Sequence, residues 1–201
     1  MFSEYLNSIH TLQRRLWYRA MAADLSQSDP NSACNEVVFT KVLMWILTPS
    51  GDLIKRVKER RNITLDGNVP VPLPYIRHVI QKCSEIFYQF PPTHILCLIT
   101  PAQEVRQFPV HDVVLEAQCF NLVFPPRRDR RAAQVVVVKD VLDLESFRIL
   151  LAWLYTNDEK KLSKRLIEHG VGRTMVNFVL NCRFWGVVDA RIQEVVWRIL
   201  T

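Results

Sequence analysis

With 201 residues, 49% of them hydrophobic, the chain is long enough to bury one core of ordinary size and too apolar to be a disordered segment. Its 26 Lys and Arg against 20 Asp and Glu leave a formal charge of +6, which favours acidic partners but falls short of a dedicated nucleic-acid binder. No apolar run reaches the ~20 residues of a membrane helix, and Met1 to Tyr5 lacks a basic start and apolar core, so a soluble protein of the nucleus or cytoplasm is expected.

From the N-terminus, Leu6, Ile9, Leu12, Leu16 and Ala20 recur at helical spacing, with Arg14, Arg15 and Arg19 on the remaining surface, and predict an amphipathic helix over 3–25. Ser26 to Ser32 is a turn. A second helix over 35–47 is apolar on nearly every face, Met44 and Trp45 included, more than one small domain can cover. These N-terminal helices are therefore expected either to dock on the rest of the chain or to present Met44 and Trp45 to another one. Ser50 can cap a short basic helix whose apolar face is Leu53, Ile54 and Val57. Ile63 to Leu65 reads as a short strand, and the prolines of Asp66 to Pro74 make a stiff extended connector. The domain boundary is placed there, with a helical extension over 1–69 and the main domain over 70–201.

A helix from Tyr75, carrying Ile76, Val79, Ile80, Cys83, Ile86 and Phe87 on one side, runs until Pro91-Pro92 stops it. Thr93 to Thr100 and Glu104 to Phe108 read as paired strands around a Pro101-Ala102-Gln103 turn. Val110, Val113, Val114, Ala117 and Leu122 predict a helix over 111–123. A basic loop with Arg127, Arg128, Arg130 and Arg131 leads to Val135 to Val138, four β-branched residues expected to form a buried strand. Asp143 can cap a helix over 143–155 with Leu144, Phe147, Leu150, Leu151 and Leu154 inward. Three more helices close the chain: one through Leu162 and Leu166 ending at Gly170, one over 174–185 ending at Gly186, and one over 189–200 capped by Asp189.

The order of these pieces carries a resemblance. Phe108 and His111 with Val114-Leu115, then a helix, a strand, Phe147, Leu150-Leu151 and Leu154-Tyr155-Thr156, resemble the signature of the BTB/POZ domain over roughly Pro92 to Leu200. The resemblance implies an α+β fold, a small mixed sheet flanked by helices, with the helical N-terminal extension added to it. Cys119 stands where the family usually has Ser, and Leu122 where it usually has Phe. His94 stands where the family often places an acidic residue, in a buried charge pair at its dimer interface, which argues against that mode of pairing. Domains of this kind serve as adaptors in transcriptional repressors and cullin-based ubiquitin ligases. A lone domain with a helical extension is weakly similar to the fungal clampless-type regulators of sexual development.

Catalytic and cofactor signatures are missing from the sequence. The five histidines share no metal-ligand spacing with each other or with cysteine, and the five glycines build no phosphate loop, so no metal or cofactor is expected. His111 and Cys119 lie about two turns apart on one helix, beyond hydrogen-bond reach, so a packed or capping His111 is the expectation. The cysteines at 34, 83, 97, 119 and 182, odd in number and set in apolar sequence, read as reduced, buried thiols. The sequence thus points to a non-enzymatic interaction module with protein partners, a second copy among them. Its candidate contacts are Met44, Trp45 and His94, and its candidate basic patch is Arg127, Arg128, Arg130 and Arg131. The alternative is a basic nucleic-acid-binding regulator, which the run at Arg127 and the cluster from Lys55 to Arg61 would serve, although no aromatic residues interleave them for base stacking.

Overall fold

The computed structural model describes residues 43–44, 48–60, 62–65, 69–83, 87, 89–125, 132–170 and 172–201. All of them belong to one compact unit, Val42–Thr201. The expected helix over 3–25, most of that over 35–47, Cys34, Trp45 and the four arginines from 127 to 131 lie outside the described residues.

The described elements are α1 (Gly51–Glu59), β1 (Asn62–Leu65), β2 (Val69–Pro72), α2 (Leu73–Lys82), β3 (His94–Ile99), β4 (Val105–Val110), α3 (Asp112–Gln118), β5 (Gln134–Lys139), α4 (Leu144–Thr156), α5 (Glu159–Glu168), α6 (Arg173–Trp185) and α7 (Ala190–Leu200). The class is α+β. A three-stranded mixed sheet has the order β4-β3-β5, with β3 antiparallel to β4 and parallel to β5. A separate two-stranded antiparallel sheet joins β1 to β2. Within the extended connector, Val69 to Pro72 therefore pairs as a strand. Prolines are tolerated there because only one side of a two-stranded ribbon needs the missing N–H.

Helix ends follow local chemistry. The side chains of Ser50, Asp143, Asp158 and Asp189 accept backbone N–H bonds from Leu53, Ser146, Lys161 and Arg191, satisfying donors that have no partner inside the helix. Gly186 closes α6 with φ of 67°, a left-handed conformation that costs glycine little. The helix expected over 111–123 stops at Gln118 instead. Beyond it Cys119 forms an isolated antiparallel bridge with Val187, Phe120 N–H donates to Gly186 O and Asn121 N–H to Trp185 O. The Cys119 N–H still donates to Leu115 O, and the long-range bonds replace the helical ones that Phe120 and Asn121 would have made.

The core lies between the inner face of the sheet and the helices. Leu96, Leu98, Phe108 and Val110 of the sheet and Phe147, Leu150, Leu154, Phe178, Val179 and Trp185 of α4 and α6 are all buried. Phe147 is the pivot, its ring 5.2 Å from that of Phe108 and 5.0 Å from that of Trp185. Two polar links cross this core. Gln118 Nε2 donates to Leu154 O at 2.5 Å, and Asn181 Nδ2 donates to Ser146 Oγ at 2.8 Å, tying α3 and α6 to the two ends of α4. On α4 the buried face holds Ile149 and Trp153 in addition to the expected residues, whereas Leu151 is only half-buried.

Candidate interaction surface

The pairing registers of β3 place residues of the three strands in rows on one face of the sheet. On the outer face the rows are Pro109, Ile95 and Val135; then Gln107, Cys97 and Val137; then Val105, Ile99 and Lys139. Seven of these nine side chains are apolar, and none is covered as a core residue would be. Val105, Val135 and Val137 are 59%, 55% and 54% exposed. The strand expected to be buried is thus an edge strand with one open face. Four consecutive β-branched residues favour a strand, but they do not say how many of its faces are covered.

Beside the sheet an open groove of about 380 Å³ is lined by Phe90, Pro92, Pro109, His111, Leu151, Ala152, Tyr155 and the arginines Arg148 and Arg165. Pro109 belongs to both the outer sheet face and the groove, so the two are contiguous. Arg148 pairs with Glu145 at 2.7 Å. Among the described residues neither Arg165 in the groove nor Lys139, in the sheet row farthest from Pro109, has a carboxylate partner.

His111 floors this groove as a packed residue. Its Nε2 lies 3.3 Å from Phe90 O, a group that can only accept, so Nε2 carries the proton. In the neutral ring Nδ1 then accepts from the Tyr155 hydroxyl at 2.9 Å, while that hydroxyl accepts the His111 backbone N–H at 2.8 Å. A sequence motif read as family signature is here a lock between the start of α3 and the end of α4.

The other candidate residues fall as follows. His94 is fully buried: its Nδ1 is 3.1 Å from Thr93 Oγ1 and 3.7 Å from Asp112 Oδ2, and its ring centroid is 4.5 Å from that of Phe124. These contacts are internal to the junction of β3 and α3, so His94 is not a surface contact on the unbound chain. Met44 is half-buried in a helical turn, next to the fully buried Leu43. Its carbonyl accepts from Thr48 N at 3.0 Å, and Thr48 O accepts from Arg183 Nη1 at 2.8 Å, which ties this turn to α6.

Among the described residues no three His, Cys, Asp or Glu side chains are grouped to hold a metal ion. Burial raises the Cys119 thiol to about 12 and the Cys182 thiol well above its ordinary value, so neither is a nucleophile near neutrality. Cys83 and Cys97 are only half-buried, unlike the buried thiols expected from the sequence, and all four described cysteines are unbridged. Among the described residues no helix is long and apolar enough to cross a membrane. The open sheet face escaped sequence reasoning because it depends on strand order. The one signal pointing to it was the alternation of Glu104 to Phe108, which left that strand half exposed. No protein-family model matches the chain, and no curated protein matches it.

Proposed function

We propose that this chain is a non-enzymatic interaction adaptor with a BTB/POZ-like domain, regulatory in role and acting in the nucleus or cytoplasm. Domains of that kind work this way in transcriptional or developmental control and in ubiquitin ligases. One observation carries the reading. The two halves of the motif, far apart in sequence, are in contact: Phe108 meets Phe147 at 5.2 Å between rings, and His111 is hydrogen-bonded to Tyr155. The antiparallel β3–β4 pair extended by a parallel β5 is the small mixed sheet that the resemblance implies.

The outer sheet face and its groove supply the adaptor surface. Its occupant is a protein surface that is apolar at the centre and acidic at the edge. The strands provide the apolar patch, and Lys139 and Arg165 the unneutralised rim, on a chain of formal charge +6.

The test uses the full chain. Zero-length carbodiimide cross-linking in the host cell should join Lys139 to an acidic residue of the partner. Val135→Asp with Val137→Asp should abolish that cross-link while leaving the far-UV spectrum and thermal midpoint nearly unchanged, because both side chains are more than half exposed. A folded double variant that keeps the same cross-links and partners would overturn the assignment.

A further inference from the structure

A second cavity lies away from the outer sheet face, where the ends of four helices meet. It encloses about 320 Å³ and is lined by Arg77, Gln81, Gln118, Asn157, Asp189 and Arg191 together with Val187, Val188 and Ala190. Arg77 and Gln81 stand one turn apart on α2, Gln118 ends α3, Asn157 terminates α4 in a left-handed conformation with φ of 49°, and Asp189 and Arg191 open α7.

The two arginines are held differently. Arg191 is firmly held: it bonds both oxygens of Asp189, at 3.1 and 2.8 Å, and Asn157 Oδ1 at 2.7 Å, while its guanidinium sits 5.1 Å above the Trp153 ring. With its amide turned to satisfy both partners, Gln81 accepts from the same guanidinium at 3.2 Å. Asp189 and Arg191 therefore neutralise each other. Arg77 is not saturated. Its Nε donates to Ala117 O at 2.9 Å and its guanidinium lies 5.5 Å from the Phe120 ring centroid, but among the described residues its two Nη groups have no acceptor and no carboxylate pairs with it. Burial, with Arg191 and Arg60 nearby, lowers the Arg77 guanidinium below its ordinary value despite the opposing charge of Asp189.

We infer that this cleft binds a carboxylate, with the two Nη groups of Arg77 forming a bidentate pair to it and the side-chain NH2 groups of Gln81 and Asn157, whose oxygens accept from Arg191, fixing its orientation. The charge count selects the ligand class. The cleft has one positive charge left over beside a neutral Asp189–Arg191 pair, which a single negative charge balances, whereas a phosphate dianion would bring a second charge against Asp189. A carboxylate of this kind comes from a peptide C-terminus or from an acidic side chain. The site is separate from the outer sheet face and does not rest on the adaptor reading.

The test is fluorescence anisotropy of the full chain with three labelled tetrapeptides: Glu-Ala-Glu-Ala with a free C-terminus, the same peptide amidated, and amidated Gln-Ala-Gln-Ala. Saturable binding of the first alone assigns a C-terminal carboxylate, and binding of the first two assigns an acidic side chain; either result supports the site. Arg77→Gln should weaken binding at least tenfold, and Lys160→Gln, an exposed residue of α5 that lines neither cavity, should leave it unchanged. Because Arg77→Gln also removes a bond to α3, a second measurement uses the unaltered chain: the bound peptide should protect Arg77 from phenylglyoxal. Binding of the neutral peptide as tight as that of the acidic ones, no saturable binding, or no protection of Arg77 would each overturn the inference.

Discussion

The Tyr155 hydroxyl joins the start of α3 to the end of α4, because it meets both the backbone N–H and the Nδ1 of His111. Tyr155→Phe removes only that oxygen and leaves the His111 N–H without its acceptor in a buried place. The expected loss is about 1–3 kcal/mol, read as a lower urea midpoint at unchanged slope. Position 150 behaves differently from its neighbour. Leu150 is fully buried and Leu151 half-buried in the groove, so Leu150→Ala should cost about 2–5 kcal/mol and Leu151→Ala about half of that or less, in the same denaturant melts. The heptad-like run of α4 identifies its apolar stripe, but two adjacent leucines at the stripe's edge look alike until the neighbouring strand and helix are in place. Arg77 and Arg191 were illegible for a similar reason, since their partners come from elements scattered over much of the chain.

At the scale of elements, the turn between α6 and α7 is held by close approach to the strand-like stretch after α3. A Cβ built on Gly186 would sit 2.8 Å from Asn121 Cγ and 3.0 Å from Asn121 N, in a backbone with φ of 67°. Asn121 has little room to retreat, because its amide donates to Arg183 O at 3.3 Å and Phe184 O at 2.9 Å. Gly186→Ala combines the left-handed penalty with that collision and should destabilise by about 2–4 kcal/mol in thermal or urea unfolding. The glycine stop itself was legible in the sequence, and so were the aspartates at 143 and 189, because caps act within a turn. The early end of α3 was not, since what ends it is Val187, a residue far along the chain.

The cap of α5 adds a pH dependence. The Lys161 backbone N–H, bonded to Asp158 Oδ1 at 3.1 Å, holds the Asp158 carboxyl below its ordinary value. A folded-state pKa that is lowered gives stability that is present above the unfolded value of about 3.9 and is lost as pH falls through the folded one. Asp158→Ala should therefore cost about 0.5–2 kcal/mol at pH 7, and the difference from the unaltered chain should narrow in melts at pH 3 and below.

At the scale of the whole molecule, the sequence contained the strands, the closing helices and the α+β class, but not the arrangement that makes a surface out of them. Whether Val135 and Val137 meet solvent depends on β5 being third in a β4-β3-β5 sheet whose outer side has no helix among the described residues. That is a property of topology, and no window of a few residues carries it. The sheet order has a consequence in time as well as in space. β3 is hydrogen-bonded on both sides, while β4 and β5 each have one neighbour, and β5 is joined to β3 through a parallel pairing across the whole of β4 and α3. Release of β5 needs only one ladder to open and leaves the β3–β4 hairpin and its core contacts standing. Amide hydrogen exchange should accordingly rank the strands, with β3 slowest and β5 opening in local events well short of global unfolding. The face proposed for a partner would then be built partly on the most readily detached strand, and an occupant that spans β3 and β5 would slow the exchange of β5 most.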